Sequence, residues 1–189
     1  MEVSQKHAVH VEISMKLIKK YTIIGTIFVL LTGTLAHFSY EWSGDNYIVG
    51  LFTPVNESVW EHMKLVFFPM LLFGLFMIYR SKEDCPCITS SLCLGILAGT
   101  LLVPVLFYTY TGILGKDIFI LDLGTFILSV LTAFLLIYKL TLSCKAKSHT
   151  FLLCALVCVL LVCFMVFTYY PPDMGIFTVP NTNQTPSQS

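Results

Sequence analysis

The chain has 189 residues, of which 56% are hydrophobic and only 12% are charged. Soluble domains usually carry about 25% charged residues, so this composition and a mean hydropathy of +0.81 exclude an ordinary soluble globular protein. Eleven Lys and Arg balance eleven Asp and Glu, which excludes an electrostatic nucleic-acid-binding protein. The seven cysteines are too scattered for a secreted disulfide scaffold. The composition indicates a small multi-pass membrane protein whose partner is the lipid bilayer. The sequence does not identify its protein partners.

Five apolar segments are long enough to cross a bilayer, which takes about 20 residues for roughly 30 Å of hydrocarbon. The segments are residues 21–40, 59–79, 88–108, 118–138 and 150–170. They predict an all-α polytopic membrane bundle of five transmembrane helices. The domain division is then an N-terminal segment at 1–20, the transmembrane domain at 21–170, and a flexible polar tail at 171–189.

The first segment also has features of a signal peptide. Lys16, Lys19 and Lys20 precede the apolar run, and Ala36 lies among small residues of the kind found at cleavage sites. The apolar part of a signal peptide is usually only about 7–15 residues long. Because this run is longer, we expect it to remain as the first transmembrane helix.

The distribution of lysine and arginine predicts the orientation, because cytoplasmic loops are enriched in these residues. Nine of the eleven fall on one side of the predicted membrane: Lys6, Lys16, Lys19, Lys20, Arg80, Lys82, Lys139, Lys145 and Lys147. The opposite side has only Lys116. The bias places the N-terminus in the cytoplasm and the C-terminus outside. It also places Cys85, Cys87 and Cys144 in the cytoplasm, where we expect reduced thiols.

The segment Thr-Pro-Val-Asn-Glu-Ser-Val-Trp-Glu-His-Met-Lys at residues 53–64 carries most of the polar groups near a membrane span. A threonine followed by a proline is typical of a helix start, so we expect the second helix to begin at Thr53. In a helix from that point, Glu57, Glu61 and Lys64 share one face, and Ser58 and His62 share the neighbouring face.

Polar residues of other spans fall at a similar depth. His37 lies near the outer end of the first span, and Asp122 lies about four residues inside the fourth. Ionisable groups in a membrane are costly and face one another or a water-filled cavity. We therefore predict one polar site near the outer surface, formed from His37, Asn56, Glu57, Ser58, Glu61, His62, Lys64 and Asp122.

The residue types leave several chemistries open for this site. His37, Glu61, His62 and Asp122 form a nitrogen and oxygen ligand set suited to zinc or another divalent metal. The site could instead bind a proton or a small ligand, or Ser58 and His62 could form a nucleophile pair. In the alternative interpretation, the protein is a non-catalytic membrane subunit whose polar residues only hold the helices together. Whether the protein is an enzyme stays open.

Residues 50–69, Gly-Leu-Phe-Thr-Pro-Val-Asn-Glu-Ser-Val-Trp-Glu-His-Met-Lys-Leu-Val-Phe-Phe-Pro, resemble the signature of an uncharacterised family of small bacterial multi-pass membrane proteins. The Tyr-Thr-Tyr-Thr-Gly segment at 108–112 and the Tyr-Pro-Pro segment at 170–172 are also similar to that family. The resemblance covers about residues 15–175. It implies a bacterial protein in the cell membrane and no particular activity or cofactor.

Overall fold

The computed structural model describes residues 2–179, with side chains from residue 15 onwards, and these residues form helices and no strand. The helices are α1 (Glu2–Trp42), α2 (Tyr47–Phe52), α3 (Val59–Ser81), α4 (Ile88–Leu114), α5 (Phe119–Ser143) and α6 (Thr150–Phe167). Single 3-10 turns lie at Lys147–His149 and Gly175–Phe177.

Five helical segments among the described residues are long and apolar enough to cross a membrane, which confirms the predicted all-helical fold with five candidate spans. The segments are Met15–Trp42, Val59–Ser81, Ile88–Leu114, Phe119–Ser143 and Lys147–Phe167. The short helix α2 was not predicted. It begins where the Asn46 side chain accepts hydrogen bonds from the backbone N–H groups of Ile48 and Val49, which caps the first turn.

Four of the long helices form a ring. Helix α1 packs on α3 and α5, while α4 also packs on α3 and α5, and α6 lies against α4. Small residues bring α4 and α5 close together, because a methyl group added at Gly99 would lie 2.7 Å from the Ala133 side chain. Small residues at such interfaces are common in membrane bundles, where close packing replaces the hydrophobic effect.

A disulfide between Cys87 and Cys144 joins the α3–α4 connection to the α5–α6 connection, with 5.3 Å between the two Cα atoms. We call this the disulfide end of the bundle. The expectation of reduced thiols at Cys87 and Cys144 is wrong for this structure. The two residues are 57 positions apart in sequence, and they meet because antiparallel packing of α4 on α5 places the start of one helix beside the end of the other.

The opposite end carries α2, the 53–58 loop and the α4–α5 connection, and we call it the site end. The predicted polar tail begins at Pro171, and its described residues 171–179 pack at the site end. The Phe177 ring packs at a tilt against Trp60, with ring centroids 4.8 Å apart, and also contacts Phe167. Residues 180–189 of that predicted tail lie outside the described residues.

We expect Cys144→Ser to lower the free energy of unfolding by about 2–4 kcal/mol, because a cross-link between distant residues restricts the unfolded chain. Cys158→Ser is the matched control, since Cys158 is exposed and takes no part in the disulfide. Thermal unfolding in detergent, with and without reductant, measures both effects. Equal melting temperatures for Cys144→Ser and Cys158→Ser would show that the disulfide contributes nothing to stability.

Candidate functional site

A cavity of about 660 Å³ opens among α1, α3, α4 and α5 at the site end. Its deeper walls are apolar and include Leu65, Val103 and Phe126. Its polar lining residues are Thr34, His37, Glu57, His62, Lys116, Asp117, Asp122 and Thr125. Ligand pockets in proteins are typically apolar clefts with a few convergent polar groups, and this cavity has that character.

His37, Glu57 and His62 form a cluster within the cavity. The Nε2 atom of His62 lies 3.2 Å from Oε2 of Glu57, and the Nε2 atom of His37 lies 3.7 Å from the same oxygen. One potential ligand atom from each residue falls within 4.8 Å of the other two. The three side chains therefore surround a point that a single divalent ion could occupy.

The orientation of His62 is determined by the backbone. Its Nδ1 atom lies 2.9 Å from the carbonyl oxygen of Ser58, one helical turn earlier. Because a carbonyl can only accept a hydrogen bond, Nδ1 carries a proton and Nε2 faces Glu57. Histidines that bind metals commonly donate their other N–H to a carbonyl or carboxylate in this way, which fixes the tautomer and the ring orientation.

Glu57 lies in the 53–58 loop, outside the candidate membrane spans. The hydrogen bond to His62 is the main cause that lowers the pKa of the Glu57 carboxyl below its usual 4.5. Partial burial opposes this shift, while the charges of His62 and His37 favour it. The carboxylate is therefore ionised at neutral pH, and a metal ion at this point would displace the Nε2 proton that His62 donates to it.

A buried ion pair holds the loop that carries Glu57. The Lys64 ammonium lies 2.7 Å from Oε2 of Glu61, and the two side chains are 0% and 2% exposed. Lys64 also donates to the carbonyl oxygens of Gly50 at 2.9 Å and Thr53 at 3.4 Å. The same Glu61 oxygen accepts the Val55 N–H at 3.0 Å. Together these bonds attach the end of α2 and the start of the loop to α3.

Helix α3 begins later than the sequence predicts. Thr53 caps the end of α2, and Ser58 is the N-cap of α3, with its hydroxyl accepting from the Glu61 N–H at 3.4 Å. Asn56 supports this start, because its side-chain oxygen accepts the Ser58 N–H at 2.9 Å. The prediction that the second helix begins at Thr53 is wrong, because the 53–58 loop turns the chain between two helices. Glu57 therefore does not share a helical face with Glu61.

The geometry does not form a nucleophile pair from Ser58 and His62. The Ser58 side chain is buried and accepts a backbone hydrogen bond in the first turn of α3. The imidazole of His62 contacts the carbonyl of Ser58 and not its hydroxyl. Ser58 and Asn56 position the loop, and neither offers a reactive group to the cavity.

Asp122 lines the same cavity and is outside the three-residue cluster. Its carboxylate accepts a short hydrogen bond from the hydroxyl of Tyr110, which in turn accepts the Ile118 N–H at 3.4 Å. Tyr110 was not predicted as a site residue, although its position at the end of the third span was a usable signal. The four predicted metal ligands therefore do not form one group. His37 and His62 lie together in the cluster, Asp122 lines the same cavity outside it, and Glu61 pairs with Lys64.

We expect Lys64→Met to destabilise the protein by about 3–5 kcal/mol, because it leaves the Glu61 carboxylate buried without a partner. The double variant Glu61→Gln with Lys64→Met should recover part of that loss, since no isolated charge remains. Lys82→Met, at an exposed position, is the matched control. Thermal unfolding of the purified variants tests this expectation, and a Lys64→Met protein as stable as Lys82→Met would contradict it.

The comparisons with known proteins identify the family. No curated protein and no solved structure matches the chain. The model of a family of unknown function, DUF6512, matches residues 11–185. The match covers most of the 189 residues, so the chain belongs to this family of unknown function.

Proposed function

We propose that this protein is an integral membrane protein that binds one divalent metal ion, most naturally zinc, through His37, Glu57 and His62. The observation that carries the proposal is the convergence of three ligand atoms within 4.8 Å of one another. Two imidazole nitrogens and one carboxylate oxygen form a ligand set that zinc accepts, and catalytic zinc sites often use three protein ligands and leave one position open.

The open position of such a site would face the cavity of about 660 Å³. If the three residues hold zinc, the ion would supply a Lewis acid and a bound water that ionises near neutral pH. Asp122 is a further acid or base group that lines this cavity together with Lys116 and Asp117, and the Tyr110 hydroxyl orients the Asp122 carboxylate. The arrangement favours metal-assisted hydrolysis as the class of reaction.

In the alternative interpretation, polar residues only hold the helices of a non-catalytic subunit together. That description fits the ion pair of Glu61 and Lys64. Glu61 and Lys64 are fully enclosed and bind backbone groups of the neighbouring segment. His37 and His62 differ from this pair, because their side chains are 30% and 28% exposed and line the cavity. The binding role is therefore assigned to the histidines and the structural role to the ion pair.

We further propose that the site end faces the outside of a bacterial cell membrane. Lysines and arginines concentrate at the disulfide end, where Arg80, Lys82, Lys139, Lys145 and Lys147 lie, and positive residues favour the cytoplasm. The disulfide itself favours an oxidising compartment, so the two features predict opposite orientations. The charge bias carries more weight because it recurs in every segment at that end.

The metal proposal predicts that the purified protein, dialysed against zinc, retains one zinc ion per chain by elemental analysis. His37→Ala and His62→Ala should lose the ion, and Glu57→Gln should weaken its binding by at least the roughly ten- to hundredfold that loss of an outer hydrogen-bond partner costs. His149→Ala is the control, because His149 lies at the disulfide end. Zinc retained equally by His62→Ala and His149→Ala, or no zinc in any variant, would refute the proposal.

The orientation proposal predicts that alkaline phosphatase fused after Ser189 is active in a bacterial host, because this enzyme requires the oxidising environment outside the cytoplasm. A green fluorescent protein fused at the same position should remain dark when it is exported unfolded. The reverse pattern would place the C-terminus in the cytoplasm and would favour the orientation indicated by the Cys87–Cys144 disulfide.

A further inference from the structure

The cavity has a polarity gradient along the helix axes. His37 on α1, His62 on α3 and Asp122 on α5 lie toward the end of the bundle, whereas Gly33, Leu65 and Phe126 lie three or four residues deeper. At about 1.5 Å per residue, the apolar lining begins roughly 5–6 Å below the polar cluster. Thr34 and Thr125 also lie at this depth, but their hydroxyls donate to backbone carbonyls of their own helices. A ligand that matches both regions has a polar head at the cluster and an apolar group directed into the bundle.

The floor of the cavity is closed by close helix contacts. A methyl group added at Gly33 would lie 2.6 Å from the Leu65 carbonyl oxygen and 2.7 Å from the Phe126 ring. Helix α1 therefore touches both α3 and α5 at this level, and Val29 and Val130, one turn deeper on α1 and α5, are fully buried. Because side chains fill the bundle below the cavity, a long apolar chain would have to leave the cavity sideways.

Exposed apolar side chains lie along the side of the cavity. Phe38 of α1 and Phe119 and Leu123 of α5 line the cavity and are 45%, 78% and 42% exposed. In a membrane bundle, exposed apolar side chains at this position contact lipid. The apolar cavity wall is therefore continuous with the surface that faces the acyl chains of the bilayer.

The charges of the cavity favour an uncharged head group. Glu57, Asp117 and Asp122 contribute three carboxylates, and Lys116 contributes one ammonium group. A divalent ion at the histidine cluster and the Lys116 ammonium together balance those carboxylates. With the metal bound, the lining carries no net formal charge, so an uncharged head group leaves no charge unbalanced in the cavity, and its carbonyl oxygen would gain a metal ligand.

We propose that the cavity binds a membrane acyl lipid through its uncharged ester or amide carbonyl, with the first part of the acyl chain over the apolar wall and the remainder in the bilayer. This inference rests on the proposed metal site and adds the class of ligand that the site receives. The carbonyl would take the open metal position, and Asp122 would lie beside it.

The test uses cobalt(II)-loaded protein in phosphatidylcholine nanodiscs, because the visible spectrum of cobalt reports a change in its ligands. Acyl hydroxamates are the probes, since they are uncharged in solution at neutral pH and chelate metals through two oxygens after losing one proton to the solvent. Octanoyl hydroxamate should bind more than about tenfold more tightly than acetohydroxamate, a difference that burial of two methylene groups is enough to supply.

Two tryptophan variants separate cavity binding from general partitioning into lipid. Leu123→Trp fills the cavity, whereas Leu131→Trp lies two turns further along α5, and the two leucines are 42% and 41% exposed. Leu123→Trp should remove the advantage of the octanoyl chain while keeping the cobalt spectrum and acetohydroxamate binding. Leu131→Trp should behave as the unmodified protein does.

The outcomes distinguish the two proposals. A cobalt spectrum with equal affinities for the two hydroxamates, or an equal chain-length effect in Leu123→Trp and Leu131→Trp, would overturn the lipid inference and leave the metal site intact. No cobalt spectrum before any probe is added would overturn the metal site, and the lipid inference with it.

Discussion

The buried ion pair between Lys64 and Glu61 is the interaction on which the rest of the site depends. Two charges removed from water are stable only when each has a partner and further hydrogen bonds. Here the ammonium also binds carbonyls at the end of α2, and the carboxylate binds a loop N–H. The pair therefore fixes the 53–58 loop, which has no regular secondary structure, against the start of α3. Glu57 belongs to this loop and contacts both histidines from it.

The polar residues of the 53–64 segment thus have two different roles, which the predicted single helical face did not separate. The Glu61 carboxylate is buried and its charge is neutralised by Lys64, so it is unavailable to a ligand. The other, Glu57, remains 64% exposed beside His62 and is kept ionised by that contact. A site that binds a metal needs the second kind of carboxylate, and the first kind supplies the rigidity that orients it.

Much of this architecture follows from the sequence because it depends on length, polarity and depth. The five long apolar helices follow from the lengths of the apolar segments, and the meeting of His37 with His62 follows from their similar positions near the ends of two of those helices. The exchange of roles between Glu57 and Glu61 was not predictable, because it depends on where α3 begins, and Thr53 followed by Pro54 is an equally good end to α2. The Cys87–Cys144 pairing and the Tyr110–Asp122 hydrogen bond depend on which helices are neighbours, and local sequence carries little information about that.

In the proposed site, residues of α1, α3 and the loop before α3 would hold one metal ion with nitrogen and oxygen ligands. X-ray absorption at the zinc edge of the metal-loaded protein measures that ligand set. We expect a first shell of nitrogen and oxygen near ~2.0–2.1 Å with the outer scattering of two imidazole rings. A shell containing sulfur near ~2.3 Å would place the metal on the cysteines instead, and a shell without imidazole scattering would remove His37 and His62 from the site.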